Sequence, residues 1–351
     1  MSTQDQIKCV VWDLDETLWS GVLAEAGTVT LKPEIPRILE TLDQRGILLS
    51  IASRNEHDDA RAKLEALGLW HYFLYPQIHW GAKSTSLARI REELNIGMDA
   101  ILFIDDSAFE RDEVAGVHME IATMPAEDYL GLLEDPRLMP RFITTDSAKR
   151  RQMYLDDSAR KQAEDDFVGP REDFLAGLNM RFAIAEAGTD DLPRAVELTV
   201  RTNQLNASGR TYDYDQLDDF RRRDDHSLLM CELSDRYGSY GKIGLALVER
   251  GEGVWHLRLL LMSCRVMSRG VGTVLLAHIM QRAAAAGVRL LADFVPTGRN
   301  RAMMVTLRFN GFSLLESVAL EDGRELQILE ADLQRTQPHP NYLEVVAEAA
   351  P

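Results

Sequence analysis

From Ile7 to about Met124, short apolar runs alternate with amphipathic stretches. KCVVWD, ILLSIAS and AILFID are nearly continuous runs of Val, Ile, Leu and other small apolar residues. PEIPRILETLDQRG, HDDARAKLEALG and TSLARIREELN separate them. Short continuous runs punctuated by ten-residue amphipathic stretches read as buried strands with crossover helices, so the pattern predicts βαβ units in a parallel, doubly wound α/β sheet. Between Pro125 and Met180 the chain is charged, as in SAKRRQMYLDDSARKQAEDDF, with Pro170 closing the stretch. Charge runs on helices usually face water, so a solvated connecting helix is expected. A second pattern follows: RFAIAEA, a helix from Leu192, strands at GKIGLALVE and VWHLRLLLM, a helix after SRGVG and a strand near FSLLESVAL. It predicts a separate, second α/β domain. The expected division is therefore residues 1–144, a helical linker at 145–180, a domain at 181–335, and a flexible tail at 336–351 carrying two prolines and a run of small residues.

Composition narrows the functional classes. The chain has 351 residues, 45% of them hydrophobic, which is enough for two cores. No apolar run approaches the ~18 residues of a membrane span, and the polar stretch Met1–Lys8 leads straight into a strand, so neither a span nor a signal peptide is expected and a cytoplasmic protein is. A net charge of −17 argues against non-specific nucleic-acid binding. Three cysteines without CxxC spacing suggest neither a disulfide framework nor a zinc site.

Against that background, four pieces of the first domain fall at successive strand ends. They are Asp13 and Asp15 after KCVVW, Ser53 with Arg54 after LLSIA, Lys83 in HWGAKST, and Asp105 with Asp106 after ILFI. Ligands of parallel sheets bind beyond the carboxyl ends of the strands, so these positions converge on one crevice. Carboxylates gathered in a partly dry cleft need a cation among them, and an oxygen-only set favours Mg²⁺, held by Asp13, Asp15, Asp105 and Asp106. Asp13 is then placed to attack phosphorus, and Asp15 to protonate the leaving oxygen and later activate water. Ser53, Arg54 and Lys83 would position and neutralise the phosphoryl group. The intervals between these strands hold one helix each and leave little or no room for a cap, so the cleft should be open to a macromolecule or a long substrate arm. Trp12, Trp19 and Trp80 lie beside the site in sequence and are expected to pack rather than to touch substrate.

DLDET with the later Ser, Lys and DD resembles the haloacid dehalogenase superfamily of phosphotransferases. KCVVWDLDETLWSGVLAE, SIASRNE, HWGAKS and FIDDSAFERDEV resemble its FkbH-like branch. Farther along, LRLLLMSCRVMSRGVGTVLLAHIMQRA runs strand, glycine-rich loop, helix, and GRNRAMMVTLRFNGF reads as a helix from Asn300. Amides at a helix start freed by Gly270 and Gly272 make an anion cradle. Together these resemble the acyl-CoA site of the Gcn5-related N-acetyltransferase fold, with Met267 where that motif usually has glutamine or arginine. A phosphopantetheine arm would fit the same groove, and Arg265, Arg269, Arg299, Arg301 and Arg308 are candidate cations for an acidic carrier protein, or scattered surface charges. Cys264 lies where the fourth strand of such a fold splays and is a candidate acyl nucleophile, while Cys9 and Cys231 are expected to be apolar fillers. His256 and His278 are expected to be structural. Asn203, Gln204 and Asn206 in RTNQLNASGRTY either border an acceptor cleft or only make a polar loop.

The FkbH-like resemblance spans nearly the whole chain. It implies a glyceryltransferase and phosphatase that takes D-1,3-bisphosphoglycerate, removes phosphate and loads a glyceryl unit as a thioester on an acyl carrier protein for polyketide biosynthesis. A stand-alone Mg²⁺-dependent phosphatase with a non-catalytic second domain, an acyl-CoA-dependent N-acetyltransferase and a non-catalytic scaffold for carrier proteins are the alternatives; the intact carboxylate set speaks against the scaffold.

Overall fold

A computed structural model describes residues 6–26, 28–202, 204–335 and 338–347. The chain forms two compact units that divide between Leu155 and Asp156.

The first unit is built on strands β1 (Cys9–Trp12), β2 (Leu48–Ser53), β3 (Gln77–Ile78), β4 (Ile101–Asp105) and β5 (Ala122–Pro125). Helices α1 (Ile35–Gln44), α2 (His57–Ala66), α3 (Lys83–Leu94) and α4 (Ala108–Val117) alternate with them. The sheet order is β3-β2-β1-β4-β5 and every pairing is parallel. All four residues of β1 are buried, as a central strand covered by helices on both faces requires. Its register sets Trp12 against Ile51 on one side and Ile104 on the other, so the chain leaves β1 at Asp13 level with the ends of β2 and β4. α1 buries Ile35, Ile38, Leu39 and Leu42 on one stripe. Between β1 and α1 there is only the hairpin Trp19–Ser20 with Thr30–Leu31 and the short helix Leu23–Ala26, so among the described residues no lid domain is inserted.

The stretch expected to be a solvated helical linker is helical and largely exposed, but it also carries buried residues. Helix α5 (Arg150–Asp165) gives its first residues to one unit and the remainder to the other. Its Arg160 is 1% exposed, forks onto Asp235 at 2.7 and 3.0 Å, and lies 3.8 Å over the Tyr240 ring. The charge run therefore hides a buried ion pair, whose partner lies 75 residues away.

The second unit contains β6 (Met180–Glu186), α6 (Leu192–Arg201), α7 (Tyr214–Arg222), β7 (His226–Asp235), β8 (Gly238–Arg250), β9 (Val254–Met262), α8 (Val271–Ala285), β10 (Arg289–Phe294), α9 (Arg301–Phe309), β11 (Phe312–Ala319), β12 (Glu325–Ala331) and β13 (Leu343–Ala347). The eight strands pair in the order β11-β12-β10-β9-β8-β7-β6-β13. β9 and β10 pair in parallel only over Val254–Leu257 and Arg289–Ala292, then part. Beside the parting, Leu247 faces Leu259 and Val248 faces Leu257, leaving Arg258 as the extra residue of a bulge. This is the splayed, glycine-loop topology of the acetyltransferase-like fold. β7, β10 and β12 were absent from the expected strands. The tail, expected to fray, instead ends in β13, which pairs in parallel with Met180–Ile184 of β6 and so satisfies an edge.

Candidate active site

The carboxyl ends of β1, β2 and β4 bring Asp13, Ser53 and Asp105 together, and the start of α3 brings Lys83. All four are buried. The Lys83 ammonium, 3% exposed, sits 2.8 Å from Asp13 Oδ1, 2.5 Å from Asp105 Oδ2 and 2.5 Å from Glu110 Oε2. The Asp13 carboxylate also accepts from the Ser53 hydroxyl and the Leu14 amide. After Asp15 the chain turns back on itself, Glu16 taking a left-handed φ of 51°, while the Leu14 carbonyl accepts from the amides of Thr17, Leu18 and Trp19. That turn sets Asp15 apart from the other carboxylates. Its Oδ1 accepts from Trp19 Nε1 at 2.7 Å and the Leu23 amide at 3.1 Å, and its Oδ2 from Asn55 at 3.0 Å.

Burial pushes the Asp13 carboxyl up from the ordinary range, with Lys83, Ser53 and the Leu14 amide working against it. Asp105 is pushed up to about 7, first by burial and then by the Asp13 charge, against Lys83. The same carboxylates hold Lys83 above its ordinary value in spite of its burial.

Asp13, Asp105 and Asp106 each offer an oxygen within 4.8 Å of the others. Lys83 and Arg54 stand against four carboxylates, Asp13, Asp105, Asp106 and Glu110, so the cluster is short of positive charge, and its donors are hard oxygens, so the set suits Mg²⁺. Asp15, expected among the metal ligands, lies outside this side-chain group: its two oxygens accept from Trp19, Leu23 and Asn55. Trp19 thus does more than pack, and Trp80, expected to pack, is 62% exposed and donates its Nε1–H to Glu56 at 2.7 Å. Trp12 is buried as expected.

The second constellation comes out differently. Arg265 donates to the Tyr240 carbonyl at 2.8 Å, and Arg269 is buried with Nη1 3.2 Å from Glu164, so neither faces a ligand as a carrier-binding cation would. Arg299, Arg301 and Arg308 are exposed. Gly270 starts α8 with a φ of 78°, and a β-carbon there would stand 2.9 Å from the Tyr342 hydroxyl, so the tail packs on the expected anion cradle. Gly272 lies in the first turn of the same helix.

The splay itself is closed by the chain's own segment Leu205–Ala207. The Ala207 amide donates to Leu260 and the Met262 amide to Leu205, both at 2.9 Å, and the Val295 amide donates to Ala207 at 2.9 Å. Asn300, expected to bind pantetheine, is buried beneath this strap, donating to the carbonyls of Asn206 at 3.0 Å and Val295 at 2.9 Å. Asn206, expected in an acceptor cleft, is also buried and accepts from the Gly209 amide. Gln204 is exposed, and Asn203 lies outside the described residues. Cys264 opens a short 3₁₀ turn after β9 and is partly exposed, whereas Cys9 and Cys231 are buried and their thiols are pushed far up by burial. His256 Nε2 lies 2.6 Å from the buried Asp293, with Arg258 and Arg210 at 3.5 and 3.4 Å from the same carboxylate.

Among proteins of assigned function, magnesium-dependent phosphatase 1 from Homo sapiens is 30% identical over 118 residues, covering 28% of this chain and 67% of the phosphatase. The chain belongs to the magnesium-dependent phosphatase 1 family. Among solved structures, the N-terminal part of the Bacteroides fragilis protein BF1531, containing a phosphatase domain complexed with Mg, is 26% identical with a TM-score of 0.34. That match covers 37% of this chain and 40% of that structure. The ribosomal-protein-S18-alanine N-acetyltransferase from Escherichia coli is 17% identical with a TM-score of 0.35, covering 46% of this chain and 97% of the enzyme. No family model matches the chain.

In this magnesium-dependent phosphatase relative, three further residues hold the site together. Thr17 links the two arms of the crevice, accepting from the Asp106 amide at 3.0 Å. Asn55 joins Ser53 at 3.2 Å to Asp15 at 3.0 Å. Glu110 joins Lys83 to Arg54, whose Nη1 is 3.0 Å away. Each belongs to a quoted motif, DLDET, SIASRNE or FIDDSAFERDEV; polar residues within a turn of a strand end were the available signal.

Proposed function

We propose that the chain is a Mg²⁺-dependent phosphatase and glyceryltransferase. It takes D-1,3-bisphosphoglycerate, removes phosphate, and loads the glyceryl unit as a thioester on the phosphopantetheine arm of an acyl carrier protein. What supports the phosphoryl half is the buried Asp13 carboxylate, aligned by Ser53 and Lys83 beside Asp105 and Asp106. Asp13, Asp105 and Asp106 would hold Mg²⁺, which supplies positive charge to the transferring phosphoryl oxygens. An Asp13 oxygen bonds to phosphorus as the bond from phosphorus to the leaving oxygen breaks, and Asp15 gives that oxygen a proton. Asp15, now a carboxylate, takes a proton from water, whose oxygen attacks phosphorus and returns Asp13. Trp19 and Asn55 keep Asp15 oriented for both steps.

The acyl half rests on the FkbH-like resemblance and on the acyl phosphate, which is already activated for attack by a thiol. The closed splay favours a second reading, a phosphatase whose second unit handles no thioester. Mass spectrometry of a holo carrier protein incubated with enzyme, Mg²⁺ and D-1,3-bisphosphoglycerate decides between them. A glyceryl adduct is expected; phosphate release with an unmodified carrier protein would leave the phosphatase alone.

A further inference from the structure

Glu110 stands in the first turn of α4 with its side chain 14% exposed. One carboxylate oxygen is 2.5 Å from Lys83 Nζ and the other 3.0 Å from Arg54 Nη1. These are the two cations that the phosphoryl site offers to substrate. A flat anion bridging two cations through separate oxygens makes the contacts that two oxygens of a phosphate would make. Lys83 is further engaged by Asp13 and Asp105, so an incoming phosphate has no spare donor on it unless a carboxylate leaves. Asp13 and Asp105 belong to the metal and nucleophile set. Glu110 is the one of the three with no other task there, and it hangs from a helix turn by a flexible side chain. Arg54, by contrast, has no other ion-pair partner among the described residues.

We propose that Glu110 is an internal occupant of the phosphate seat, paired with Lys83 and Arg54 when the seat is empty and displaced when phosphate binds. The inference rests on the phosphoryl-transfer reading of this site. It gives Glu110 a positioning and specificity role. Between turnovers it keeps two cations from being stranded next to each other. Because every phosphate must compete with it, free orthophosphate is held weakly and leaves readily. Substrates that bring further contacts from the rest of the molecule overcome the competition, so the site favours an extended phosphorylated substrate over a bare phosphate.

The test is calorimetric binding of orthophosphate and of vanadate, in Mg²⁺, to the intact protein and to Glu110→Gln. Removing the competing charge should tighten both anions by about tenfold or more. With p-nitrophenyl phosphate, KM should fall while kcat does not rise. Glu110→Asp, one methylene too short to span the pair, should move in the same direction by less, which covers the case of a glutamine variant that does not fold. Unchanged or weaker anion binding in both variants would overturn the proposal and make Glu110 an anchor for Lys83. If neither the native protein nor the variants bind either anion, the phosphoryl reading itself fails, and this inference with it.

Discussion

At the scale of single residues, the first unit turns on Lys83. A buried ammonium facing three carboxylates is tolerable only because each compensates for the dehydration of the others. Lys83→Met should therefore cost about 3–5 kcal/mol in the absence of metal, because it leaves Asp13, Asp105 and Glu110 facing one another. Urea unfolding in EDTA and in Mg²⁺ should show a larger recovery by metal in the variant than in the native protein; a loss no greater than for a surface lysine would contradict this account. In the second unit His278 offers a separate check. Burial, then the Arg282 charge, hold its imidazole below the ordinary 6.5. The folded protein then binds fewer protons than the unfolded chain, so this contribution to stability is complete above about pH 6.5 and is lost as the pH falls below it. His278→Gln should flatten the fall in stability between neutral and mildly acidic pH, and the imidazole signal that the substitution removes should titrate below the ordinary value in the native protein.

At the scale of elements, what could be read from the sequence and what could not divide along the distance between partners. The βαβ units of the first unit carry their own periodicity, and their strand ends point to Asp13, Ser53, Lys83 and Asp105 from the sequence alone. Sequence spacing places Asp15 beside Asp13 but gives no direction; the turn at Glu16 carries its carboxylate to Trp19 and Asn55. Arg160 looked solvated because nothing local announces Asp235, and LEVVA looked frayed because its partner strand lies far earlier in the chain. The strap at Leu205–Ala207 was likewise hidden, since a polar loop and a loop that plugs a sheet have the same composition. Asn300 locks it, donating to Asn206 and Val295 and accepting from the Thr297 amide at 3.0 Å. Asn300→Ala leaves buried carbonyls unsatisfied and should cost about 1–3 kcal/mol. Hydrogen exchange should rise at Ala207, Met262 and Val295, whose amides close the splay. With the strap in place, titration with acetyl-CoA should give no saturable heat; a tight complex with the native protein would show that the strap yields to ligand.

At the scale of the whole molecule, a phosphatase unit and a unit of acetyltransferase-like fold share one polypeptide, and the proposed substrate carries two phosphates that leave by different chemistry. D-1,3-bisphosphoglycerate presents an acyl phosphate, which a thiol displaces without help from ATP, and a phosphate ester, which a thiol does not displace and a phosphatase must remove. If the acyl step is chemically independent of Asp13, then Asp13→Asn should separate them. The variant loses the atom that attacks phosphorus, so release of phosphate from the ester stops, while the thiol of the carrier protein still captures the acyl group. The carrier protein should then accumulate an adduct heavier than glyceryl by one phosphoryl group, and adding the native enzyme with Mg²⁺ should trim it to glyceryl. Mass spectrometry of the carrier protein reads both forms. An Asp13→Asn protein that leaves the carrier unmodified, when the native protein loads it, would mean that dephosphorylation precedes transfer or that Asp13 serves both steps. A carrier protein unmodified by either enzyme would confine the chemistry of this chain to its phosphatase unit.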